Sequence, residues 1–305
     1  MMTTTPSKIY SSLLLSLLAF LHPASAQSGR QPKEEKQPEK PAQVVARPLL
    51  KRTTTRRELK RLGYGGSVTI YGAPEGSVTV EAWQRSEVEV TAEVEQSADT
   101  EENLTRLAAL NTFNVDEEIN HVRVKTLGLH DRKYAKQAAR NLPKNLPAMP
   151  RRIDYHLKVP AVCDLEINAG RGALVVTGVE GALRINAGGG PDSLFALSGG
   201  DVEATVASGP FTVRPTARSW RGPGLRLRLV SGDLTVELPA GFSGDVDAEV
   251  LRAGRVENTH PGLVPRERTT PTERSLQARA GQGGATFSFT VGDGTLRIRQ
   301  AGSRQ

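Results

Sequence analysis

The chain has 305 residues, 37% of them hydrophobic, which is enough to bury a sizeable core and too apolar for a chain disordered throughout. A single cysteine excludes an intramolecular disulfide framework, and an aromatic share of 5% argues against stacked sugar-binding platforms. The net charge of +7 sits at one end: eleven Lys/Arg and four Glu fall between Gln27 and Arg61, Lys8 precedes them, and residues 62–305 sum to −1.

Residues 1–26 read as a secretory signal peptide, with Lys8 before the apolar run SSLLLSLLAFL and an A-x-A site placing cleavage between Ala26 and Gln27. The run is too short to span a bilayer, and no later stretch is long and apolar enough, so no transmembrane span is expected in the mature chain. The expected location is therefore periplasmic, extracellular or cell-surface. Residues 27–60 form an expected disordered basic linker rich in Pro, Lys and Glu, leaving 61–305 as the folded domain.

Arg47, Lys51, Arg52, Arg56, Arg57, Lys60 and Arg61 cluster at the end of that linker. Such a cluster binds an anionic envelope polymer or lipid surface by non-specific electrostatics, or it is a solvated, solubilising stretch. Nucleic acid is not an expected partner, because the chain reads as exported and lacks aromatic interleaving or a nucleic-acid motif.

Further along, one phrase recurs: Gly, a small or acidic residue, then apolar-x-apolar. Copies start at Gly66, Gly76, Gly172, Gly181, Gly200, Gly209, Gly232, Gly244 and Gly294. In the copy VSGDLTVELP, alternation sends Leu234, Val236 and Leu238 to one face and Thr235 and Glu237 to the other. One such strand cannot bury its own face, whereas stacked copies can. The expected fold is an all-β stack of short Gly-led strands, a β-solenoid with coils of about twenty residues; an antiparallel β-sandwich is the alternative.

The stretches GGSVTIYG, EVEVTAEVEQ, YHLKVPAVCDLEINAGRGALVVTGVEGALRI and GDGTLRIR resemble the bacterial DUF4097 family, auto-transporter adhesin head-like β-solenoid proteins. The resemblance covers most of residues 62–300 and implies architecture and an adhesin-type surface role. It brings no catalytic residues.

Two segments depart from the repeat. Asp99 and Glu102 open a capping-box-like start to a short amphipathic helix, followed by a strand near 119–127. Residues 128–151 and 258–284 read as long loops.

Chemistry is sparse. His121, His130, His156 and His260 are scattered without ligand spacing, GFSG around Ser243 lacks a full nucleophile elbow, and GGGPDSL is one isolated calcium-type nonapeptide. Cys163 reads as a small buried side chain in preference to a reactive thiol. Asp201, Glu203, Asp233, Glu237, Asp245, Asp247 and Glu249 are either an outward carboxylate column that would welcome a hard cation or a solvated strand face. No catalytic residue, metal ligand or cofactor is expected. The readings left are a non-enzymatic adhesive or scaffolding envelope module, an envelope-stress sensor meeting membrane or peptides, and a polysaccharide-acting β-helix enzyme, against which the low aromatic share counts.

Overall fold

The computed structural model describes residues 48–72, 74–128, 143 and 145–302. The signal peptide, its Ala26/Gln27 junction, linker residues 27–47 including Arg47, and His130 lie outside the described residues. In chain order the elements are β1 (Leu50–Arg61), β2 (Ser67–Tyr71), β3 (Val78–Trp83), β4 (Glu87–Ala98), α1 (Glu101–Leu110), β5 (Thr112–Glu118) and β6 (His121–Leu127). After a 3-10 turn at Leu146–Ala148 come β7 (Arg151–Pro160), β8 (Asp164–Arg171), β9 (Leu174–Thr177), β10 (Ala182–Gly189), β11 (Ser193–Leu197), β12 (Gly199–Ser208) and β13 (Phe211–Pro215). The last are β14 (Arg221–Ser231), β15 (Leu234–Leu238), β16 (Gly244–Ala253), β17 (Val256–Asn258), β18 (Leu263–Pro265), β19 (Ser275–Ala280), β20 (Thr286–Asp293) and β21 (Leu296–Gln300).

The protein is all-β around one helix among the described residues. Two sheets face each other: ten strands in the order β1-β4-β7-β3-β9-β11-β13-β15-β21-β17, and eleven in the order β18-β19-β16-β20-β14-β12-β10-β8-β2-β6-β5. In cross-section this is sandwich-like. Along the axis it is a flattened coil, because from β8 to β15 the chain alternates between sheets and each strand from β10 on pairs in parallel with the strand two before it. Leu165, Leu183, Val202 and Leu225 are register partners, so successive coils take 18, 19 and 23 residues. Antiparallel pairing is confined to the two ends, in β1/β4/β7, β5/β6 and β16/β19/β18.

In-register stacking turns each repeat position into a row running along the axis. Val80, Val176, Phe195, Val213, Val236 and Ile298 are successive partners in one sheet, all at most 1% exposed, and Ile167, Ile185, Ala204, Leu227 and Phe289 form the facing row. Each rung thus covers its neighbour's apolar edge, the term that a lone strand lacks.

The recurring Gly has an equally local cause. Gly172, Gly209, Gly232 and Gly294 occupy one corner with φ between +101° and +154°. A Cβ on Gly172 would strike the carbonyl of Gly76, one on Gly232 that of Gly209, and one on Gly294 that of Gly232. Only a residue without a side chain permits backbone-on-backbone stacking there.

Three expectations are corrected. Residues 50–60 are not linker: they belong to the edge strand β1, paired over twelve positions with β4, the β-branched run Thr53–Thr55 favouring the extended backbone that completes that ladder. The helix cap is Thr100, whose Oγ1 accepts from Asn103 N at 3.1 Å, while Asp99 instead accepts from the Asn103 side chain at 2.7 Å. Residues 258–284 are not one loop, since β18 and β19 lie within them, β19 burying Leu276, Ala278 and Ala280. The helix itself packs as expected on the sheet edge, with Leu107 and Leu110 meeting Leu146 and Met149.

Candidate functional site

The basic cluster of the sequence resolves into two rows of β1. Arg52, Arg56 and Lys60 stand opposite Gln96, Ala92 and Val88, all buried, so they belong to the inward row; Lys51, Arg57 and Arg61 belong to the outward row. Inward-pointing charge on an edge strand discourages pairing with another chain.

Most of these cations already have partners. Lys51 pairs with Glu95 at 2.8 Å, Arg52 with Glu101 of α1 at 2.9 Å, Lys60 with Glu58 at 3.7 Å, Arg56 with Glu58, and Arg57 with Glu89. Six Lys/Arg and one Glu on β1 face four Glu on β4, which leaves the ribbon close to neutral. The Arg57 guanidinium holds the Glu89 carboxyl below its ordinary range against the opposing effect of burial. Lys51 and Arg57 nevertheless keep 58% and 68% of their side chains exposed. Arg61 stands opposite Glu87 and is exposed.

Of the two readings of these acidic residues, the carboxylate column is not formed. Parallel stacking sets the same repeat position of each copy side by side, and the sequence fills that position with opposite charges on alternate rungs. Glu166, Arg184, Glu203 and Arg226 are consecutive register partners on the eleven-stranded sheet. Arg184 lies 2.7 Å from Asp201 and 3.7 Å from Glu203, and Arg226 lies 3.8 Å from Glu203. On the other sheet Glu237, 8% exposed, accepts from Arg214 and Arg299 at 2.6 Å each, and Asp233 accepts from Thr295 N and Arg297 at 2.9 Å each. Asp245 pairs with Arg279 at 2.7 Å, and Asp247 with Arg266. The result is a charge-alternating face whose carboxylates hold arginines. Among the described residues no group of three or more His, Cys, Asp or Glu could hold a metal ion.

The remaining candidates have structural partners. Ser243 Oγ donates to Gly283 O at 2.8 Å and accepts from Gln282 N at 3.1 Å, anchoring a turn. Cys163 is 1% exposed, and burial pushes its thiol up to about 12. His121 meets Ser67 at 2.7 Å, His156 meets Glu81 at 3.1 Å, and His260 Nδ1 accepts from Gly262 N at 3.1 Å, three separate environments. The division of β1 into two rows was missed from sequence; the period-2 placement of Arg52, Arg56 and Lys60 was its available signal.

No family model matches the chain, and no curated protein matches it. Among solved structures, a protein of Clostridium sporogenes provisionally named for cell adhesion is 12% identical at a TM-score of 0.42, covering 81% of this chain and 100% of that one. A provisionally named adhesin of Bacteroides fragilis is 11% identical at 0.30, over 81% and 97% of the two chains. A protein of Parabacteroides distasonis provisionally named as lipid-binding is 11% identical at 0.27, over 81% and 96%. No helix among the described residues is long and apolar enough to cross a membrane.

Proposed function

We propose that the chain is an exported, non-enzymatic module of the cell envelope that attaches to, or scaffolds, an anionic surface. The observation that supports this reading is the outward row of the eleven-stranded sheet in which Glu166, Arg184, Glu203 and Arg226 follow one another rung by rung, about 4.8 Å apart, with alternating charge. A stiff repetitive face of this kind offers many weak, equivalent contacts to a repetitive polymer or headgroup layer. The outward cations Lys51, Arg57 and Arg61 add a second charged row, at the edge of the ten-stranded sheet.

The test has two parts. Fractionation of producing cells should recover the protein outside the cytoplasm with Gln27 as its first residue; a cytoplasmic chain retaining its N-terminus would overturn the export reading. Purified protein should bind vesicles containing anionic lipid, or acidic envelope polysaccharide, at low ionic strength and release them as salt shortens the Debye length from about 10 Å at 0.1 M to about 3 Å at 1 M. The double variant Lys51→Ser/Arg61→Ser should bind more weakly with an unchanged unfolding temperature. Arg57 is left in place because it is the nearer of the two cations, with Lys158 at 3.8 Å, that neutralise the buried Glu89 carboxylate. Binding equal to the parent's removes the outward row of β1 from the contact surface.

A further inference from the structure

The end of the stack away from β1 is closed by a strap. Residues 259–262 cross from β17, the last strand of the ten-stranded sheet, to β18, the last strand of the eleven-stranded sheet. Each of those strands holds on by three register pairs, β17 to β21 and β18 to β19, and Leu263 returns from the strap into the core. So short a ladder sits at the low end of local stability, and the turn between its two halves decides whether the strap stays down.

His260 fastens that turn. The residue is 5% exposed. Its Nδ1 accepts from Gly262 N at 3.1 Å, its backbone N–H donates to Asn258 Oδ1 at 3.0 Å, and Leu263 N donates to its carbonyl at 3.3 Å. An acceptor nitrogen carries no proton, so the Gly262 bond assigns a neutral ring with its proton on Nε2. Nε2 is sealed from solvent and has no hydrogen-bond partner. Charged side chains on the surrounding elements are engaged elsewhere: Glu257 of β17 by Arg255 and Arg297, Glu237 of β15 by Arg214 and Arg299, and Arg266, just past β18, by Asp247. Arg218 runs along Gly241 in the turn after β15, and Glu267 and Arg268 are exposed on the loop beyond β18. No carboxylate pairs with the ring, and burial pushes its titration below the ordinary 6.5 against a smaller opposing effect of the Pro239 carbonyl.

We propose that this turn is an acid-released latch: protonation of His260 converts Nδ1 from acceptor to donor, breaks its bond to Gly262 and lets the β17–β18 strap lift off the end of the stack. Both nitrogens of an imidazolium are donors, so turning the ring over restores nothing. A charge kept in place would be buried without a counter-ion, and opening the strap brings it to water. Lifting β18 strips β19 of its pairs at Ala278, Arg279 and Ala280, and a free strand edge replaces a closed end. Because the ring takes up a proton more readily in the open form than in the closed one, the latch is fully closed above about pH 6.5 and loosens as pH falls. It requires neither the export nor the surface binding proposed above.

The experiment follows two readouts on the intact protein between about pH 7 and pH 5, a window above the ordinary titration of carboxylates. His121 on β6 and His156 on β7 lie toward the opposite end of the stack and leave the strap untouched. Hydrogen exchange, corrected for its intrinsic pH dependence, should show protection over residues 256–266 falling about tenfold or more while β8, β10 and β12 keep theirs. The His260 ring protons should titrate below 6.5. In His260→Asn an amide oxygen takes over the acceptor role and does not titrate, so the strap should keep its pH 7 protection at pH 5. The proposal is overturned if strap protection is the same at both pH values, if His260→Asn loses it as the parent does, or if His260 titrates at or above 6.5. Should the variant fail to fold, exchange and ring titration of the parent decide the matter alone.

Discussion

The guanidinium of Arg56 lies 4.8 Å from the ring centre of Phe113 and donates to the Phe113 carbonyl at 3.4 Å. This contact joins β1, the edge of one sheet, to β5, the edge of the other, at one end of the stack. Arg56→Ala should lower the unfolding temperature by a few degrees, since a cation–π contact is worth roughly 0.5–2 kcal/mol and each kcal/mol corresponds to about 2–4 °C in a domain of this size. A double-mutant cycle with Phe113→Leu should return a coupling of the same order. Additive losses would mean that β1 lies on β5 without gripping it.

Glycine at the coil corner is a steric requirement. Gly232 has φ +135° and a Cβ there would meet the Gly209 carbonyl, whereas a Cβ on Gly65, φ +66°, meets nothing within 4 Å. Gly232→Ala should cost more than about 3 kcal/mol and prevent soluble expression, while Gly65→Asn should cost no more than about 1 kcal/mol, because Asn tolerates the left-handed region. Urea titration of both variants measures the difference, and comparable midpoints would contradict the backbone-stacking account.

Register can be tested on a single strand. Val236 is 0% exposed between Val213 and Ile298, and Thr235 faces outward beside Thr212 and Arg297. Val236→Asp places an unpaired charge in the core and should abolish folding, whereas Thr235→Asp gains an arginine neighbour and should express and melt like the parent. Soluble Val236→Asp protein with a parental circular dichroism spectrum would show the inward face to be misassigned.

Acid should loosen the charge-alternating face. Burial alone would raise the Glu237 carboxyl, but the hydrogen bonds from Arg299 and Arg214 outweigh it and hold the group below its ordinary 4.5. The Thr295 backbone N–H, followed by Arg297, holds Asp233 below its ordinary 3.8. Folded-state values below the unfolded ones mean that the unfolded chain binds protons first as pH falls. This contribution is complete above about pH 4.5 and is lost as pH drops through the folded-state values. Urea midpoints measured from pH 7 down to about pH 3 should therefore decline, and Glu237→Gln should flatten the decline; a midpoint that holds steady in acid would show that these pairs contribute nothing net.

Much of the fold was legible in the sequence because its cause is local and repeated. Alternation of Leu234, Val236 and Leu238 with Thr235 and Glu237 determined which face is buried, and a Gly before each strand marked the corners, since neither depends on distant partners. The helix at Glu101–Leu110 was readable from the spacing of its leucines. What neighbouring rungs do to one another was decided only in three dimensions. Read singly, Glu203 and Glu237 fitted a carboxylate column or a solvated face equally; in-register pairing put Arg184 and Arg226 beside the first and Arg214 and Arg299 beside the second. The charged run from Lys51 to Lys60 looked like linker because linker and edge strand share a polar composition. Only pairing with β4 separates them: it divides the strand into a row that closes the core through Arg56 and a row that meets solvent through Lys51 and Arg61. His260 read as one residue of a long loop; the strands β17 and β18 on either side of it, each held by a strand further along the chain, are what bury it. Short-range periodicity thus specified the strands and corners, and the contacts between rungs, which carry the charge pattern and close the end of the stack, required the stacked structure.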